Sequence, residues 1–138
     1  MKDPEITVLR VEPGKAPEPV TMPNTLEAMQ QMVGGYIEIV CLDDACLICN
    51  EEGKLIGLDG NRRVGDDIIA GTFFIAGDTG DGDLCSLTQE QLEHFSQRFA
   101  QPETFQPGEV EDALRFFFLP PPQHDRRAGG AAHRRQSG

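Results

Sequence analysis

The chain has no tryptophan, a single tyrosine and only three histidines. Two of those, His124 and His133, lie close to the carboxyl terminus, so imidazole chemistry and histidine-rich metal sites have few actors. No apolar run approaches the roughly 18–20 residues that a membrane-spanning helix needs. Glycine-rich phosphate loops of the Walker or dinucleotide type are missing, as is the helical motif of metal hydrolases. Met1-Lys2-Asp3-Pro4-Glu5 lacks the charged-then-apolar pattern of a secretion signal. A cytoplasmic protein with no cofactor is the expectation.

Positive charge is also scarce. Lys and Arg number 12 against 23 Asp and Glu, for a net charge of −11. The deficit is uneven. Residues 120–138 hold Arg126, Arg127, Arg134 and Arg135 against Asp125 alone, a net +3 that leaves −14 on residues 1–119. A body so acidic repels phosphate backbones, which argues against direct nucleic-acid binding by the core and suits a basic protein surface.

What is present is enough for one domain: 138 residues, 38% of them hydrophobic. Four cysteines invite a zinc reading, since Cys46 and Cys49 form a C-x-x-C. The residues between them, Leu47 and Ile48, belong to an apolar strand-like run rather than to a turn. Residues three apart on a strand face opposite ways. Reduced, mostly buried thiols are expected, with no metal.

The expected fold is α+β, a small, mostly antiparallel sheet of four to five strands with two helices packed on it. Glu5–Val11 reads as a strand, and Glu12-Pro13-Gly14-Lys15 with the prolines after it as a turn and loop. Asn24 and Glu27 form a capping box for a helix that buries Leu26, Met29, Met32 and Val33 and stops at Gly34-Gly35. Tyr36–Leu42 and Ala45–Asn50 read as a hairpin joined by Asp43-Asp44. Leu55–Leu58 reads as a brief strand, and Asp59-Gly60-Asn61 as a turn. Ile68–Ala76 is the most strand-like stretch, with Gly71 marking a bulge or a close backbone approach. Thr88 and Gln91 form a second capping box, with Leu87 and Leu92 as its staple, and Leu92, Phe95 and Phe99 supply that helix's buried stripe. Residues 5–100 then make the compact domain. Residues 101–119 are a weakly structured extension, in which Glu111–Phe118 forms a short helix or an extra strand. Residues 120–138 are a disordered basic tail.

Chemistry has few places to sit. The Asp78–Asp83 loop fails the calcium-loop pattern, because position 3 would be Gly80, position 6 Asp83 and position 12 Gln89. His94 reads as an exposed helical histidine. A different kind of cluster is formed by Asn50, Glu51, Lys54, Asn61, Arg62, Asp67 and Thr72, which gathers amides, carboxylates and cations around turns that bound short strands. Arg62 could offer a planar fork to a phosphate or carboxylate. The same side chains could equally brace the turns they occupy. Both readings stand.

These residues carry a family resemblance. Gly35-Tyr36-Ile37-Glu38, Cys49-Asn50-Glu51-Glu52-Gly53-Lys54, Gly57-Leu58 with Asn61-Arg62, and Asp67-Ile68-Ile69-Ala70-Gly71-Thr72-Phe73 together resemble domain of unknown function 3846. Val11-Glu12-Pro13-Gly14, the Leu26 helix and Cys85-Ser86-Leu87-Thr88 extend the likeness over about residues 6–100. The resemblance implies a small cytosolic protein of Gram-positive bacteria, their mobile elements and phages, and it implies no catalytic residue.

Three functions follow as expectations. The first is a binding or interaction module, an accessory protein of mobile elements or phage that meets a basic host protein. The second is a binder of a small, nucleotide-like anion centred on Asn61 and Arg62. The third and least supported is a hydrolase using Asp67 or Glu51 as general base.

Overall fold

The computed structural model describes residues 4–42, 44–106 and 108–110, together with the backbone of 133–136. Strand β1 is Glu5–Val11, and both of its faces are apolar: Ile6 and Val8 on one side, Leu9 and Val11 on the other, all 1% exposed or less. A strand buried on both faces must lie inside a sheet that is covered on both sides. Its neighbour β2, Glu18–Pro23, was expected to be loop because of its prolines. It is an edge strand, and the register explains why prolines are tolerated. Pro19 and Pro23 stand opposite Leu9 and Glu5, in step with the Thr21–Thr7 pair. The Thr7 N–H donates to Ser86 Oγ and its carbonyl accepts from Leu87, so in this row the backbone groups of β1 and β2 point away from each other. The missing proline N–H groups cost no ladder bond.

Helix α1, Leu26–Val33, is capped by Thr25, whose side chain accepts from the Ala28 N–H. The expected cap, Asn24, is buried and donates to the Leu84 carbonyl. Left-handed Gly34 closes the helix, as the Gly34-Gly35 pair predicts. Met29 and Val33 are buried, with Leu26 and Met32 packed beside them. The hairpin follows as expected, β3 being Ile37–Leu42 and β4 Ala45–Asn50. Asp43, in its connection, lies outside the described residues.

The stretch Ile68–Ala76 is not one strand. It divides at Gly71, whose φ is +85° and whose position would put a Cβ 2.6 Å from Leu58 Cδ1. The first part becomes β6, Asp67–Ala70, and the second β7, Phe73–Asp78. Strand β6 pairs with β5, Gly60–Val64, in a separate two-stranded ribbon. The expected turn at Asp59-Gly60-Asn61 is therefore the start of β5, and the expected strand at Leu55–Leu58 belongs to a wound turn.

Short β8, Leu84–Cys85, pairs with β7. Helix α2, Gln89–Arg98, carries the capping box of Thr88 and Gln91 in full. His133–Gln136 form β9 against β3. Residues 120–132 and 137–138 of the expected tail lie outside the described ones.

The main sheet runs β2-β1-β7-β4-β3-β9, with β8 added to β7, and every pairing is antiparallel. It has seven strands rather than four to five, and the α+β class stands. Helix α1 covers one face, over Ile6, Val8, Ile48 and Phe74. Helix α2 and the ribbon cover the other, over Leu9, Leu47, Phe73 and Ile75, where Phe99 meets Phe73 edge-on. Among the described residues no helix is long and apolar enough to cross a membrane.

Candidate functional site

The candidate polar residues fall into two groups. The inner one is built on β5. Asn61 is the unpaired residue of a bulge, since Gly60 pairs with Ala70 and Arg62 with Ile69. A bulge re-aims side chains, and here it sends two consecutive polar ones inward, with Asn61 0% and Arg62 1% exposed. Asn61 Nδ2 donates to the carbonyls of Val11 and Gly71, both at 2.9 Å, and its Oδ1 accepts from Arg62 Nη1 at 2.7 Å. It thereby ties the end of β1 to the break between β6 and β7.

Arg62 uses its whole donor fork inside the protein. Nε and Nη2 donate to the Phe99 carbonyl at 3.2 and 2.9 Å. Nη2 also reaches the Lys15 carbonyl at 2.6 Å, and Nη1 reaches both oxygens of Asn61. Phe99 is the C-cap of α2, so the guanidinium sits against the negative end of the helix dipole, which offsets part of the cost of burying it. Burial pulls its pKa below the ordinary arginine value, and Glu103 pulls the other way. With its five N–H groups so directed, Arg62 has none left for a phosphate or carboxylate. This guanidinium is a clamp joining the β1–β2 loop, β5 and the end of α2.

The outer group surrounds the turn of residues 51–57. Asn50 Nδ2 donates to the Val33 carbonyl at the end of α1, and its Oδ1 accepts from the Glu52 N–H at 2.7 Å. Lys54 forms an ion pair with Asp67 Oδ1, which also accepts from the Ile68 N–H. Glu51 is half-buried, its N–H bonded to the Tyr36 carbonyl. Thr72 is half-buried at the break between β6 and β7. The structure therefore joins Asn61 to Arg62 and Lys54 to Asp67, and it sends the two pairs to different neighbours.

Sequence reasoning missed what this outer turn displays. Leu55 and Ile56 are 55% and 56% exposed, although the turn beneath them is held by Asn50, by the Lys54–Asp67 pair and by bonds from Ile56 to Glu52 and Leu58 to Gly53. The available signal was two adjacent aliphatics between Gly53 and Gly57 in a charged stretch, a setting that favours a turn over a strand. Arg63 follows Arg62 in the same polar stretch. It pairs with Glu103 and Glu109 and lies over the Phe105 ring, fastening the described part of the 101–119 extension to β5. The Glu111–Phe118 segment lies outside the described residues.

The remaining candidates are bland in the structure too. Cys46 and Cys49 are buried in the clusters on opposite faces of the sheet, and none of the four cysteines is in a disulfide. Burial above all, and then Glu38 and Asp67, push the Cys49 thiol well above its ordinary pKa, which opposes thiolate chemistry. His94 is exposed, edge-on to Phe95. Among the described residues no group of His, Cys, Asp and Glu could hold a metal ion.

The model of the family described as Domain of unknown function (DUF3846) matches residues 6–100. No curated protein and no solved structure matches the chain.

Proposed function

The chain belongs to the DUF3846 family, and from that premise we propose that it is a non-catalytic cytoplasmic binding module whose acidic surface takes a basic protein. The observation that carries this reading is how its charge is partitioned. Residues 1–119 hold a net −14. Among the described cations, Arg10, Lys15, Lys54 and Arg63 are in ion pairs with this chain's own carboxylates, Arg62 is buried, and Arg98 lies over the Phe99 ring. Excess carboxylates are left to set the field outside, and such a field draws cationic partners and speeds encounter. Together with the family likeness, it supports an accessory protein of mobile elements or phage, one that acts as an acidic decoy for a basic, DNA-handling host protein.

The anion-binding alternative rested on Arg62 and Asn61, and it loses support because their donors are taken up by backbone and by each other. The hydrolase reading had Asp67 or Glu51 as its base, but Asp67 is engaged by Lys54 and Ile68.

The test uses the purified full chain as immobilised bait in bacterial lysate. The captured set should be enriched in basic proteins and should elute as salt is raised, because exposed charges are screened over about 10 Å at 0.1 M salt. Capture that is indifferent to salt, or enriched in neutral proteins, would falsify the decoy.

A further inference from the structure

The main sheet has two lateral edges, and they differ in kind. Along β2, Pro19 and Pro23 lie in the row whose backbone groups point away from β1. That outer row therefore lacks two N–H donors, and a strand cannot add there with a continuous ladder. Along β3 there is no proline from Ile37 to Leu42. Its inner edge is fully paired with β4. Its outer edge accepts β9, with Ile37, Glu38, Ile39 and Val40 in register with Gln136, Arg135, Arg134 and His133.

The segment seated there is short and cationic. Among the described residues it covers four positions of β3, Ile37 to Val40. It comes from the stretch 120–138 with its net +3, against a body of −14. Strand addition draws its affinity from main-chain bonds and its selectivity from side chains and charge. An extended segment of similar charge and greater length could therefore form the same ladder with more bonds.

We propose that the outer edge of β3 is the strand-accepting site of this protein, occupied by the chain's own basic residues 133–136 and opened when an extended basic segment of a partner displaces them. This rests on the binding-module reading and names the site and the partner's form: a lysine- or arginine-rich strand, added antiparallel or parallel to Ile37–Leu42. The built-in strand sets a threshold, since a partner must outcompete a tethered segment at high effective concentration. It also shields an edge that would otherwise pair with a second copy.

The experiment compares the full chain with the full-length variant Arg134→Pro/Arg135→Pro, in which at least one ladder donor is lost. Hydrogen exchange at Ile37 and Ile39, whose backbone groups face β9 because that of Tyr36 faces β4, should quicken at least tenfold in the variant, with β1, β4 and β7 unchanged. A synthetic peptide of residues 131–138 should bind the variant more tightly than the native chain, restore the protection, and weaken as salt rises. Equal exchange in both proteins, or a peptide that leaves exchange at β3 unaltered, overturns the proposal. Salt-resistant dimerisation of the variant overturns it as well, in favour of a second copy at that edge. The two readings fail separately. Basic proteins still captured by a chain whose β3 edge does not respond would place the partner elsewhere, and peptide addition without any capture would leave β9 a structural cap only.

Discussion

The Asn61–Arg62 pair and the Lys54–Asp67 pair each join a cation to a side-chain oxygen, an amide's in one and a carboxylate's in the other, yet one lies sealed beneath the sheet and the other sits at its rim. The inner pair is met by carbonyls that three distant segments contribute: Val11 and Lys15, Gly71, and Phe99. The outer pair joins one turn to the start of a strand, with the lysine and aspartate side chains 16% and 36% exposed. A polar group surrounded by backbone acceptors is a fastening on which the layers depend, whereas one shared with water is a local brace. The contrast also moves the search for function away from the cation that first drew it, toward carboxylates and a strand edge.

The comparison can be broken most readily at its strong end. Arg62→Met should lower stability by about 3–5 kcal/mol, since it leaves the Phe99 carbonyl and Asn61 Oδ1 buried without their donor and releases the Lys15 carbonyl. That corresponds to a fall of roughly 10–20 °C in Tm for a domain of this size, measured by thermal unfolding. A change as small as that of a rim variant would show the clamp to be ornamental.

The same division by burial applies to the thiols, and pH sharpens it. The raised Cys49 pKa favours the folded state below the unfolded thiol's value, near pH 8.5, and that contribution is lost as pH rises above it. Chemical unfolding of the native chain should lose up to about 1.4 kcal/mol per pH unit above pH 8.5 relative to Cys49→Ala. Exposed Cys41 gives no such protection to its thiol and should react first with a thiol reagent. Parallel stability curves for the native chain and Cys49→Ala would contradict the burial argument.

The weak end of the comparison predicts little. Lys54→Ala should cost about 0–1 kcal/mol in a urea melt, because the pair is partly solvated. A loss approaching that of Arg62→Met would mean that the turn of residues 51–57 is as integral as the clamp.

Most of the scaffold was legible where local chemistry and tertiary packing agree. The β1 pattern, the β3–β4 hairpin, the apolar stripe of α1 and the Thr88–Gln91 box are all present. Legibility failed where a distant partner decides. Prolines hid β2, which is acceptable only because it lies on an edge. The run Ile68–Ala76 read as one strand because composition does not reveal that Leu58 packs against Gly71 and divides it between two sheets. Thr25 took the capping role from Asn24 because Asn24 is drawn inward to Leu84, far along the chain. The candidate residues stand out by composition, but an arginine whose counter-groups are carbonyls looks in sequence like one awaiting a ligand.

The placement of Arg62 bears on how the protein opens. Among the described residues its ribbon is a two-stranded sheet of its own, yet its guanidinium bonds both the β1–β2 loop and the end of α2. Loop, ribbon and helix end are therefore expected to open as one unit, which hydrogen exchange would read as a shared opening free energy.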